Sequence, residues 1–402
     1  MAPLHPNGRM LRKALAITAF AAVILTVYVG GSRYLAGRLI FEPALGEPWT
    51  SVLFGFFVVL AITPGLQALT ERVAPPQLSR LVAWPANLFL GFAFYLLIGL
   101  FAVDLSLLLA GAAFGVDPSG LIVVRSRALA VVSFATIASI AGMFSALTPP
   151  KTSRWDIQLE RWPTALDGFR IVQISDIHIG SMLDVKFARA IVDRVNELRP
   201  DLIAVTGDLV DGPVKHLREH VAPFADLRAE HGVYFVTGNH DYYSGADPWL
   251  EHVGELGMRA LRNERVTISR DGAHFELAGV DDHRGDLFGP GHGEDVPTAL
   301  AGRDPAEAVV LLAHDPSTFK AAIKADVDLQ LSGHTHGGQI WPFNALVRAA
   351  IGFVAGYYRR GSSQLLVSRG TGYWGPPMRL RAPAEILEIT LRAGAGEPVE
   401  AA

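Results

Sequence analysis

The chain has 402 residues, 50% of them hydrophobic, with 35 basic against 39 acidic side chains and a net charge of −4. A near-neutral balance without a basic run excludes a partner held mainly through phosphate charge, so no nucleic acid is expected. The lack of cysteine removes disulfides, thiolate ligands and thiol nucleophiles from consideration.

Charge is unevenly placed along the chain. Residues 1–150 hold nine basic and five acidic side chains, and 12 of the 13 histidines lie beyond them. The expected division is a transmembrane helical domain over 1–150 and a second domain over 151–402. Crossing a bilayer takes about 20 mostly apolar residues, and four stretches qualify, near 14–32, 51–70, 85–112 and 128–147. Arg9, Arg12 and Lys13 ahead of the first stretch resemble a signal-peptide start. Further spans follow, however, and no small-residue cleavage site appears, so a bundle of about four membrane helices is expected. Arg9, Arg12, Lys13, Arg72, Arg80, Lys151 and Arg154 then fall on one side, and Arg33, Arg38, Arg125 and Arg127 on the other. That asymmetry puts residues 151–402 in the cytoplasm, whereas an odd span count would reverse the orientation. Asp104, inside the third stretch, has no visible basic partner and reads as an acid facing protein or marking the end of a span rather than as part of an ion path. Thr148, Pro149 and Pro150 stop the last helix, and Trp155 and Trp162 with Lys151, Arg154 and Arg161 suit the membrane interface.

Beyond the join the pattern alternates. FRIVQIS reads as a buried strand, Val185 to Leu198 as an amphipathic helix, DLIAVTG as a strand, Pro213 to Ala229 as a helix and GVYFVTG as a strand. A helix near Pro248 to Leu256 follows, then strands around RVTIS and HFELAGV, the run AVVLLAH, a helix from Pro316 and the run VDLQLSG. Residues 340–358 are apolar and aromatic and end in Arg359 and Arg360. They read either as a segment in the headgroup region or, by preference, as a buried connection over a second sheet.

Metal-binding residue types stand where these strands stop: Asp176 and His178 in ISDIHIG, Asp208 in TGDLVDG, Asn239 and His240 in GNHD, His314 in LLAHDP, and His334 and His336 in SGHTHGGQ. Ligands of open α/β sheets gather outside the carboxyl ends of the strands, so the motifs should meet in space. Oxygen mixed with imidazole nitrogen suits Mn, Fe or Zn rather than a calcium cage. Two such ions about 3.5 to 4 Å apart activate a water and clamp a phosphoryl group. Asp241 reads equally as a partner of His240 and as a turn cap. Asp211, Asp281 and Asp282 read as turn residues or as groups behind the ligands. Asp315, just before Pro316, reads as a helix N-cap. His216, His220, His231, His252, His274, His283 and His292 read as ordinary surface histidines.

In this order the motifs resemble the calcineurin-like metallophosphoesterase superfamily over roughly Asp156 to Leu391. The LDGFRIVQISDIHIG opening and the GHTHGGQ ending resemble its membrane-associated phosphodiesterase branch. The resemblance implies a four-layer α/β/β/α sandwich and two divalent metal ions. It also implies Asp176, His178 and His336 on the first ion, Asp208 on both, and Asn239, His314 and His334 on the second. His240 would bind no metal and would protonate the leaving group after hydroxide attack, with no phosphoenzyme. The expected function is a membrane-anchored phosphoesterase, by first choice a phosphodiesterase acting on an amphiphilic or envelope-related phosphoester. The alternative is a transporter or sensor carrying a metal-stabilised regulatory module, in which His240 would have no use.

Overall fold

The computed structural model describes residues 6–396 and 398–401, with the backbone alone at 6–17, 19–21 and 401. Helix α1 spans Pro6–Ala36, α2 Trp49–Val73, α3 Pro76–Phe114 and α4 Leu121–Leu147. Among the described residues α2, α3 and α4 are long and apolar enough to cross a membrane. The first expected span, 14–32, falls within α1, and part of it lies outside the described side chains. Pro64 and Pro85 sit inside α2 and α3, which membrane helices tolerate.

Two compact units result, residues 1–64 with 88–139 and residues 65–87 with 140–402. Within the first, Asp104 is not alone: its carboxylate meets Arg127 Nη1 at 3.2 Å and Arg38 Nη2 at 3.1 Å, and Tyr34 donates to it. Glu42 takes the other ends of both arginines. The sequence hid this because all three partners lie more than 20 residues from Asp104.

Among the described residues the second unit holds thirteen strands: β1 Lys151–Leu159, β2 Phe169–Ile174, β3 Leu202–Thr206, β4 Val233–Val236, β5 Met258–Ala260, β6 Glu264–Arg270, β7 Ala273–Gly279, β8 Val309–Leu312, β9 Leu329–Ser332, β10 Gly356–Arg360, β11 Ser363–Val367, β12 Glu385–Ala393 and β13 Val399–Ala401. One sheet runs β13-β1-β12-β2-β3-β4-β5 and the other β10-β11-β9-β8-β7-β6. Both are mixed: β2 to β5 are parallel, as are β1 with β12 and β7, β8, β9 and β11, whereas β13–β1, β12–β2, β10–β11 and β6–β7 are antiparallel.

Alternation along the strands sets the packing. Ile171, Leu202 and Leu387 of the first sheet share a core with Leu277, Val310 and Leu331 of the second. Val172, Ile203 and Val205 turn the other way. They meet helix α5, Val185–Glu197, whose Ala188, Ile191, Val192 and Val195 recur at helical spacing. Asp184 caps that helix by accepting from the Lys186 N–H at 3.0 Å. Each aliphatic side chain buried this way contributes roughly 1.5–3 kcal/mol.

The segment after Pro150 is a strand rather than a membrane-interface join. β1 pairs in parallel with β12 over nine residues, Trp162 is buried against Phe169 and Phe275, and Arg161 pairs with Asp326 and Asp328. Trp155 stacks on Tyr357 at 6.4 Å. Tyr357 and Phe353 pack against the cores, in line with the buried reading of 340–358, whereas Trp341, Phe343 and Leu346 of the same stretch are exposed.

Candidate metal centre

Every motif follows a strand end. β2 leads to Asp176 and His178, β3 to Asp208, β4 to Asn239 and His240, β8 to His314, and β9 to His334 and His336. Because β2, β3 and β4 are neighbours in one sheet and β8 and β9 in the other, the loops emerge side by side. Their backbones are tightly bent: Asp176, His178, Asp208, His334 and His336 all have positive φ, between 50° and 70°. Such conformations cost on the order of 1–3 kcal/mol each and persist where the surroundings overdetermine them. Gly207 shows how close the loops come. A Cβ there would lie 2.6 Å from the Gly238 nitrogen and 2.7 Å from His314 Nδ1.

Donor atoms converge in two groups, Asp176–His178–His336 and Asp208–His314–His334, with Asp208 also within reach of His178 and His240. His178 Nε2 is 3.1 Å from His336 Nε2, and His314 Nε2 is 3.2 Å from His334 Nδ1. One atom, Asp208 Oδ2, lies 3.2 Å from His314 Nε2 and 3.8 Å from His178 Nε2, and so belongs to both groups. Asn239 Oδ1, one residue before His240, is buried without a hydrogen-bond partner. A buried carbonyl with no donor costs about 1–3 kcal/mol, and oxygen and imidazole donors aimed at one another fit divalent cations. Burial, then His314, lowers His334 to about 4, and burial, then His178, holds His336 well below the usual range. Both rings are therefore neutral, the form that ligates. Burial would lower His314 too, but Asp208 raises it well above the ordinary value. A cation at that ring must displace a proton, which makes binding pH-dependent.

Asp211 stands behind the ligands, one of the two readings its sequence position allowed. Its Oδ1 takes both His178 Nδ1, at 3.0 Å, and His240 Nδ1, at 2.7 Å, so one carboxylate orients a candidate ligand and the candidate proton donor. Burial would raise Asp211, but His178 and His240 hold it well below the usual carboxylate range. His240 is lowered by burial and raised more by Asp211 and Asp208, ending at about 9. Asp241, by contrast, accepts from the backbone N–H groups of Asp208, Leu209 and Gly238 at 2.9, 3.0 and 2.8 Å. It clamps two loops, as the turn-cap reading required, and Asp211 occupies the place beside His240 offered to it. The signal was present in GDLVDG, where Asp211 follows Asp208 by three residues, but its partners are set only by folding.

Arg379 carries no sequence signal of its role. It is 0% exposed and donates to the carbonyl oxygens of Gly372 and Ala382 at 2.9 and 2.8 Å, with Nη2 3.2 Å from His336 Nδ1. Its own N–H donates to the Gly142 carbonyl near the end of α4 at 2.8 Å. Other expectations fell out as follows. Asp315 caps the turn at Pro316, Asp282 caps the turn at His283, and Asp281 takes a two-pronged ion pair from Arg262. His252 is buried rather than exposed and bonds Glu255.

A model of the calcineurin-like phosphoesterases matches residues 169–338. A Bos taurus protein named "Transmembrane protein with metallophosphoesterase domain" is 40% identical over 278 residues, covering 66% of this chain and 63% of its own length. A Danio rerio protein of the same name is 38% identical, covering 67% and 63%. An uncharacterized metallophosphoesterase of Aquifex aeolicus is 33% identical over 263 residues, 64% of this chain and 98% of its own. The chain thus spans 63% of the length of the first two relatives.

Proposed function

Because this chain belongs to the calcineurin-like phosphoesterases and is an integral membrane protein, we propose that it is a membrane-anchored phosphodiesterase of amphiphilic phosphoesters. In this reading four spans, α1 included, anchor a four-layer α/β/β/α catalytic domain over 151–402, and a cytoplasmic orientation follows from the basic flanks. The observation that carries the reading is Asp208, whose Oδ2 is common to both donor groups. A carboxylate is the side chain suited to sharing, since it offers lone pairs on two oxygens and a negative charge. Asp176, His178 and His336 would hold one ion, Asn239, His314 and His334 a second, and Asp208 both. Mn, Fe and Zn fit this donor set. When bound, such ions lower the pKa of water toward about 7 and offset charge on a phosphoryl group.

The chain supplies the rest. Asp211 ties down His240 Nδ1 at 2.7 Å, leaving Nε2 as the ring atom open to substrate. Asp211 and Asp208 keep that ring protonated, so it enters the reaction able to give a proton to a leaving oxygen. The Asp208 Oδ1 accepts from the His240 N–H at 2.7 Å, which fixes the proton donor to the shared carboxylate. His240→Ala is expected to keep its metal content and lose roughly 10²- to 10⁴-fold in rate, the range of general acid catalysis. The loss should shrink on para-nitrophenyl esters, whose leaving group needs little protonation. Equal losses on para-nitrophenyl and alkyl esters would remove His240 from that role.

A further inference from the structure

Beside His240 stands an apolar surface that the ligand motifs do not account for. Tyr243, on the same short helix, has its ring 5.3 Å from the His240 ring, and Trp374 stands against it at 5.6 Å. Phe288 extends the surface, 5.8 Å from Tyr243. Tyr243, Trp374 and Phe288 are 54%, 53% and 47% exposed, although leaving such a ring in water forgoes roughly 1.5–3 kcal/mol of burial.

Their placement is built into the fold. Gln339 holds Trp374 from both ends of its amide, donating to the Trp374 carbonyl at 2.8 Å and accepting its N–H at 3.0 Å. Gln339 does so from a left-handed backbone, φ 47°. Arg284 donates to the Tyr243 hydroxyl at 3.3 Å. The loop carrying Trp374 also meets the stretch where α2 ends and α3 begins, since Tyr373 and Gly375 line one cavity with Gln67 and Asn87. Gln67 and Asn87 belong to the same compact unit as Trp374.

Ring angles select among apolar occupants. His240 meets Tyr243 at 64° and Trp374 at 70°, and Tyr243 meets Phe288 at 48°. None of these three contacts is a parallel stack, and the rings together offer an uneven apolar face, which suits a hydrocarbon. The donor groups of Asp176 and Asp208 claim the phosphate end of a substrate, and His240 marks the leaving oxygen.

We propose that Tyr243, Phe288 and Trp374 form a leaving-group subsite for a hydrocarbon-bearing alcohol, so that the bond cleaved is the one joining phosphorus to the apolar part of an amphiphilic phosphodiester. This rests on the hydrolase reading and on His240 as proton donor. A water oxygen forms the new bond to phosphorus and gives up one proton. The P–O bond to the apolar alcohol breaks, and its oxygen takes a proton from His240 Nε2, which the water's proton restores through solvent. The products are the free apolar alcohol and a phosphomonoester that keeps the polar group.

The test uses the full chain in maltoside micelles with Mn²⁺ and dodecylphosphocholine, which carries one apolar and one polar alcohol on the same phosphorus. Mass spectrometry is expected to find dodecanol and phosphocholine in roughly tenfold or greater excess over dodecyl phosphate and choline. The double variant Phe288→Ala, Trp374→Ala should lower that ratio by roughly tenfold, the worth of one partly buried ring. A general loss of fold or metal would slow both cleavages without changing the ratio. Dodecyl phosphate and choline as main products, or an unchanged ratio in the double variant, would overturn the subsite. So would hydrolysis of bis(para-nitrophenyl) phosphate without hydrolysis of dodecylphosphocholine, an outcome that leaves the hydrolase reading standing. Neither substrate cleaved at full metal content would bring down the hydrolase reading, and this one with it.

Discussion

Both compact units gather ionisable side chains, and they balance them differently. In the membrane-helix unit Asp104 and Glu42 face Arg127 and Arg38, so two acids meet two permanent cations and Tyr34 adds a donor. In the catalytic unit Asp176 and Asp208 are buried among imidazoles, two of them neutral, with the Asn239 oxygen buried and unpartnered. Taking ions out of water costs several kcal/mol each unless partners compensate. In the first cluster each acid has a cation beside it, though Arg127 Nε is left without a hydrogen-bond partner, and the pairs act as a staple between helices. The second has donors to spare, and its strained loops aim them inward, which is the signature of a site made for cations.

The contrast breaks most directly at Asp208. Asp208→Asn should lower metal content more than any other single ligand change and reduce the rate beyond roughly 10⁴-fold, past the range of one general acid. Elemental analysis of the purified variant checks this, and undiminished stoichiometry would move the shared position elsewhere. Asp104→Ala tests the other side. It should cost roughly 1.5–3 kcal/mol, the worth of hydrogen bonds to a charged group, because Glu42 still pairs with both arginines, measured as a lowered unfolding midpoint in detergent, with metal content unchanged. A variant that loses metal instead would mean that the two clusters are coupled.

Smaller effects sharpen the comparison. Asp211→Asn leaves His178 and His240 without their common acceptor, and a loss of about 10- to 100-fold is expected, typical of a group that orients a ligand. Burial alone lowers His240, and Asp211 heads the groups that lift it to about 9. The alkaline limb of the rate profile should therefore move to lower pH in this variant, and a stationary limb would assign it to another group. Gly142→Leu addresses a more distant support. A Cβ at this position would already lie 3.1 Å from the Met378 Cβ, so a larger side chain should cost roughly 1–3 kcal/mol by overpacking. By shifting Arg379 behind His336 it should also weaken metal binding in a chelator titration, by less than Asp211→Asn slows the rate. An excised fragment starting at residue 151 would lack this contact altogether, because residues 65–87 and 140–150 belong to the catalytic unit.

What the sequence determined by itself was whatever repeats along one strand–loop step. Apolar runs followed by DIH, GD, GNHD, AHD or GHTH announce a ligand at a strand end, and β2, β3, β4, β8 and β9 each end as those runs foretell. The apolar lengths of α2, α3 and α4 were legible for the same reason, since a bilayer sets a length that composition can meet. Tertiary structure decided the pairings between segments distant in the chain. Asp211 rather than Asp241 reaches His240, because Asp241 is consumed by three backbone N–H groups. Asp104 has partners because α3 and α4 pack together with the turn after α1. Trp162 is core because β1 is drawn into the sheet by β12, more than 220 residues away. Periodicity reports which face of an element is apolar, but which element covers that face depends on contacts that no local pattern records.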